Sequence, residues 1–166
     1  MTTPVDELLG QVEAASCTAG REEEALRLCE QVMKMAEKEF GTDHPKTASV
    51  LEVYGKILWQ LKRLDEAERV VRRAVNIYER AYGSDHIRVA STLLELSHVY
   101  AFQGRLTEAK ILFRHTLAVV YDELNANSPG ALIELLGRLS ALCEVTGETE
   151  AIKGLEAEIE AIRSRN

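Results

Sequence analysis

The feature that most limits what this chain can become is a segment it uses twice. EFGTDHPKTASVL at residues 39–51 returns 42 residues later as AYGSDHIRVASTL at 81–93. Setting 41–82 over 83–124 pairs Gly41 with Gly83, Asp43 with Asp85, His44 with His86, Ala48 with Ala90, Ser49 with Ser91 and Leu51 with Leu93. Further along, Arg63, Leu64, Glu66, Ala67 and Arg72 pair with Arg105, Leu106, Glu108, Ala109 and Arg114. One period back, EEEAL (22–26) lies under LDEAE (64–68); forward, LSHVYAFQG (96–104) becomes LSALCEVTG (139–147), shifted by 43, and GETEA (147–151) resumes the register. A fixed period of this length marks an array in which each unit leans on its neighbours. Four units fill nearly the whole of the single domain 1–166, at about 4–40, 43–82, 85–124 and 128–164.

Each unit reads as two helices. Over 86–102, Val89, Leu93, Leu96 and Tyr100 fall on one stripe at helical spacing; over 106–124, so do Ala109, Leu112, Phe113, Leu117 and Val120. Neither stripe can be buried by its own pair. Gly104 punctuates one helix end, and GSD (83–85) closes another and offers Asp85 as N-cap to the next. No window alternates apolar and polar residues well enough to predict a strand, so the expected class is all-α.

Charge and motifs narrow the function. With 27 acidic against 20 basic residues and a formal charge of -7, the chain lacks the clustered positive charge that nucleic acid or an anionic membrane demands. In KRLDEAERVVRR (62–73) helical spacing scatters the bases among acids, which reads as a solvated face. No apolar run approaches the ~18 residues of a membrane span, and MTTPVDELLG lacks the pattern of a signal peptide, so a cytoplasmic address is expected. Cys17, Cys29 and Cys143 are widely spaced and outside any CxxC pattern, which predicts buried reduced thiols rather than a zinc site or disulfides. The Asp-His pairs 43–44 and 85–86 recur at the repeat period where helices start, and histidines one repeat apart, about 10 Å, are too far to share an ion. There is no GxSxG, HExxH or phosphate loop, and GRLTEAK (104–110) has only one Gly. No catalytic residue, metal or cofactor is therefore expected.

A 42-residue helical pair with DHP at its turn, then A-S-x-L, a G-R-x-x-E-A turn (Gly104, Arg105, Glu108, Ala109) and an aromatic in the next helix (Phe113) resembles the long tetratricopeptide repeat of the kinesin light chain type. The resemblance covers roughly residues 21–150. It implies a right-handed α-solenoid of about four antiparallel helix pairs whose first helices line a concave groove, and it implies protein or peptide binding there. Two subtype marks are missing. Where kinesin light chains carry an Asn pair in a segment like L-N-N-L-A, this chain has LEVYG (51–55), LLELS (93–97) and LGRLS (136–140); the carboxylate-clamp set of Lys, Asn and Arg is matched only by Arg138.

Helical geometry marks out the groove. Turning about 100° per residue from Leu51 places Ser49, Glu52, Lys56, Trp59 and Gln60 on the arc opposite the buried stripe. From Leu93 the same wheel gathers Ser91, Leu94, His98, Ala101 and Phe102, with Glu95 close by. Together with Arg138 these residues form the predicted partner-binding surface. Trp59, Leu94 and Phe102 stand out on it as apolar residues where an unoccupied helix should be polar. Either they anchor a partner or they fill space between repeats. The first reading is a module that binds an extended peptide or a helix of a partner protein. Its rival is a self-assembling or structural module, or the terminal repeat domain of a larger signalling protein. EAIKGLEAEIEAIRSR (150–165), apolar on one face and charged on the other, reads as a solvating cap and predicts a monomer, with a homo-oligomer as the alternative.

Overall fold

The computed structural model describes residues 4–16 and 20–127, with scattered positions beyond. Six helices follow one another: α1 (Pro4–Ser16), α2 (Glu22–Phe40), α3 (Pro45–Gln60), α4 (Leu64–Tyr82), α5 (Ile87–Phe102) and α6 (Leu106–Asn127). There is no strand among the described residues. Each helix packs on the next in sequence, and α3 also touches α1 and α5, so the pairs stack into a solenoid with the first helices side by side. Of the expected fourth pair, 128–164, and the cap at 150–165 only scattered positions are described.

The stripes close as the spacing predicts. On α4, Ala67, Val71, Ala74, Val75 and Tyr78 are buried, and on α3 so are Ala48, Val50, Leu51, Ile57 and Leu58. Small residues set how near the helices come. A Cβ added at Gly55 would lie 2.5 Å from Cγ2 of Val71, so only glycine lets α3 and α4 approach this closely. Cys29 and Cys143 are buried free thiols; burial pushes the Cys29 thiol up to about 12, while Cys17 lies outside the described residues.

The helix starts correct one expectation. Asp85 does not cap α5; it accepts from the Ser84 hydroxyl at 3.1 Å. The cap is His86, extended at φ -84, ψ 142, whose Nδ1 accepts the Arg88 N–H at 3.1 Å. His44 does the same for α3, accepting from Lys46 N–H at 3.1 Å, with Pro45 in the first turn. An imidazole nitrogen reaches the orphan donor that a short side chain usually satisfies. Both rings are steadied by stacking, His44 on Phe40 at 5.5 Å and His86 on Tyr82 at 4.5 Å.

The first helices end alike. Arg105 N–H bonds Tyr100 O at 2.9 Å and Gly104 N–H bonds Ala101 O at 3.0 Å; Arg63 N–H bonds Leu58 O at 2.9 Å and Lys62 N–H bonds Trp59 O at 3.0 Å. This is the Schellman pattern, which needs a left-handed residue just past the helix. Gly104 takes that conformation at φ 78 and Lys62 at φ 60.

Candidate functional site

Side by side, α3 and α5 leave an open cleft of about 450 Å³. Its floor is Gly55, Val71 and Val99, and Val71 of α4 is reached because Gly55 has no side chain to cover it. Trp59 forms a wall, and Glu52, Lys56, Gln60, Glu95 and His98 line the rest. Six residues of the predicted surface thus meet at one cleft. The wheel found them because residues about a turn apart on one helix share a face, and the stacking brings two such faces together.

The rim is polar in two different ways. Glu52 is largely buried and committed to the junction: it accepts from Tyr78 Oη at 3.0 Å and Thr92 Oγ1 at 2.7 Å, with Arg88 Nη1 at 3.8 Å. It supports the cleft wall rather than offering a free carboxylate. Burial pushes the Tyr78 hydroxyl above its ordinary range, and the Glu52 charge adds to this, so Tyr78 stays a donor. His98 is partly buried, its Nδ1 2.8 Å from Leu94 O, which makes that nitrogen the donor. Lys56 and Gln60 are exposed. Neither side chain makes a hydrogen bond or ion pair among the described residues.

Trp59 is partly buried, and its indole N–H is buried without an acceptor. Its ring meets Phe102 edge to face, centroids 5.3 Å apart. Trp59 therefore joins neighbouring repeats and walls the cleft at once, so anchor and filler are not exclusive descriptions of it. Phe102, 42% exposed, lies at the cleft's edge rather than in its lining.

Other predicted residues fall elsewhere. Ser49 and Ser91 are partly buried and turn back to bond Lys46 O at 2.8 Å and Arg88 O at 3.0 Å, on their own helices. Neither lines the cleft. Leu94 and Ala101 are buried, at 0% and 5% exposure, which corrects the expectation that they face the groove. A helix inside a solenoid is covered on more than one side, and a wheel centred on a single stripe misses the second. Arg138 lies outside the described residues. Sequence reasoning passed over Gly55 and Val71, although a glycine inside a helical pattern signals a close backbone approach. Among the described residues no group of three His, Cys, Asp or Glu is arranged to hold a metal, and no helix is long and apolar enough to cross a membrane.

The fold has counterparts among solved structures. BtubC (BKLC) from P. vanneervenii superposes with a TM-score of 0.77 at 20% identity, over 99% of this chain and 66% of that one; the chain thus spans just under two thirds of that protein's length. A kinesin light chain type protein of Podosopora anserina, with nearly identical TPR-like repeats, matches with a TM-score of 0.67 at 17% identity, over 99% of this chain and 98% of that one. A point variant of that protein gives 0.66 at 17% identity and the same coverage. No curated protein matches the chain. The family profile described as tetratricopeptide repeat matches at residues 9–80 and again at 52–122, more than half of the sequence. With the period, the paired helices and these counterparts in agreement, the chain belongs to the tetratricopeptide repeat family.

Proposed function

We propose that this protein is a binding module whose units at about 4–40, 43–82, 85–124 and 128–164 act as one array, and whose cleft between α3 and α5 holds an extended or helical segment of a partner protein. Tetratricopeptide repeats are in general protein-interaction modules, which supports the class. The observation that carries this cleft is its surplus of donors. Lys56 and Gln60 stand exposed beside the Trp59 ring, their side chains uncommitted. A ligand that supplies acceptors satisfies both, and a hydrogen bond to a charged group such as the Lys56 ammonium is worth about 1.5–3 kcal/mol. An extended peptide brings one carbonyl oxygen per residue, and the floor of Gly55, Val71 and Val99 has room for an apolar side chain between such contacts.

Selection from a displayed peptide library tests the reading, with Lys56→Glu and Trp59→Ala as parallel targets. The expected result is peptides whose affinity falls about tenfold or more on each variant, the range for a truncated aromatic anchor or a reversed charge at a binding site. Lys56 is exposed, so its variant should melt with the wild type. Peptides that bind all three proteins equally would move the site to another face.

A further inference from the structure

One turn departs from its counterparts. At the left-handed position past each first helix, one period apart, stand Gly20 at φ 86, Lys62 at φ 60 and Gly104 at φ 78; Gly147, in the shifted register, has φ 73. Lys62 is the only described residue other than glycine with a positive φ. A side chain there crowds its own backbone, and such strain persists where the surroundings hold it. Here they do so visibly. The Lys62 ammonium lies 5.2 Å from the ring centre of Trp59 and 4.9 Å from that of Phe102. Those rings come from successive first helices and meet edge to face. A cation facing two π systems is attracted to both, and the lysine stem covers apolar ring surface as well.

The geometry points to the Trp59–Phe102 pair as a cation subsite, filled in the free protein by Lys62 of the same chain and open to a basic side chain of a partner that displaces it. The internal occupant shows which chemistry the rings accept, an alkylammonium with an apolar stem. Phe102 is 42% exposed, so the pair can be reached from solvent. Asp65 and Glu68 line the adjoining cleft with Lys62 and Arg105, so its acids and bases balance. Both carboxylates are already bonded, Asp65 to Gln103 at 3.0 Å and Glu68 to Gln103 and Arg105 at 2.9 Å each. The attraction for a cation therefore rests on the rings. The proposal deepens the cleft-binding reading and rests on it only for there being a partner; the subsite itself is testable without one.

Trp59 is the chain's single tryptophan, so its fluorescence reports this place alone. Lys62→Gly puts in the residue that the turn favours and should melt at or above the wild-type temperature. With the cover gone, acrylamide should quench Trp59 about twofold more strongly, and n-butylammonium at tens of millimolar should restore at least about half of the lost protection. 1-Pentanol, its neutral analogue, and sodium chloride at equal concentration should not. Lys62→Asn, which also tolerates a left-handed turn, should behave alike, and adding Phe102→Ala should abolish the ammonium response. Equal quenching of wild type and both Lys62 variants, or an alcohol response that matches the ammonium's, would overturn the subsite. Because this titration needs no partner and the peptide selection does not touch Lys62, either idea can fail alone.

Discussion

The junction between the first and second helix pairs and the junction between the second and third occupy equivalent places in the array, yet they are filled with different chemistry. At the first, Leu26, Val50 and Leu58 are buried in one apolar cluster, with Leu61 packed against it. One period later the same positions hold Glu68, Thr92, Tyr100 and Gln103. There Glu68 accepts from Gln103 and Arg105 at 2.9 Å each and pairs with Arg72 at 3.0 Å, while Arg72 donates to the Tyr100 hydroxyl. Thr92 donates to Glu52 at 2.7 Å. The repeat geometry thus specifies that a position is covered, not that it is apolar. A polar filling serves when every buried donor and acceptor finds a partner.

The difference should be largest when one side chain is shortened on each side. Leu58 is fully buried, and Leu58→Ala removes contacts that nothing replaces, so a loss of about 3 kcal/mol is expected in urea unfolding. Its counterpart change, Tyr100→Phe, removes only a hydroxyl whose partner Arg72 is half exposed and can turn to water. That should cost about 1 kcal/mol or less. Equal costs would show that the second junction is as tightly specified as the first.

A smaller effect tests whether the polar filling can be converted. Glu68→Leu imports the residue found one period earlier but removes the acceptor that Gln103 and Arg105 share, leaving them Asp65 and Glu108, and should cost about 1–2 kcal/mol. Adding Gln103→Leu removes one of the two donors and supplies the new leucine with an apolar neighbour, so the double variant should recover most of the loss. A double-mutant cycle reads this as coupling of about 1 kcal/mol. Strict additivity would mean that the two positions do not form one unit.

Acid separates the junctions without removing any atoms. Burial opposes ionisation of Glu68, but hydrogen bonds from Gln103 and Arg105 and the charge of Arg72 outweigh it and hold the carboxyl below its usual range. With the folded value depressed, the contribution to stability is present above the unfolded value of about 4.3 and is lost as pH falls through it toward the folded value. The urea midpoint of the wild type should therefore exceed that of Glu68→Gln near neutral pH, and the gap should narrow by about pH 3.5. The exposed pairs Arg21–Glu24 and Arg63–Glu66 are common to both proteins and drop out of the difference. An unchanged gap between wild type and variant across this range would deny Glu68 a role in the junction.

These contrasts also show what was legible in the sequence. The period, the paired helices and the arc of Glu52, Lys56, Trp59 and Gln60 were readable because they depend on spacing within one helix. Leu94 was misread because its burial depends on what lies across from its helix, which a wheel does not contain. Glu52 was read as a groove residue, but its partners Tyr78 and Thr92 lie 26 and 40 residues away. The exchange of Leu26 for Glu68 is plain in the aligned repeats. That both are covered is not, since a glutamate on a helix more often faces water. Lys62 at a glycine position was visible in the alignment as well, but its ring contacts require the second helix.

The smallest predicted effect concerns what the two junctions share. His44 and His86 cap α3 and α5 through the same Nδ1 contact, each 3.1 Å from a backbone N–H, and each stacks on an aromatic of the preceding helix. This cap sits at the rim, outside the interior where the junctions diverge. His44→Ala and His86→Ala should therefore cost nearly the same, about 1 kcal/mol each, as loss of an N-cap does. Asn, whose shorter side chain caps well but cannot stack, should restore most of that loss at both sites, leaving a remainder that measures the ring contact. The Tyr82–His86 centroids lie closer than Phe40–His44, at 4.5 against 5.5 Å, so the remainder should be the larger at His86. If His86→Ala instead cost several times what His44→Ala does, the cap would be coupled to the polar interior through the Thr92 and Arg88 contacts to Glu52, and the junctions would differ at their rims as well as inside.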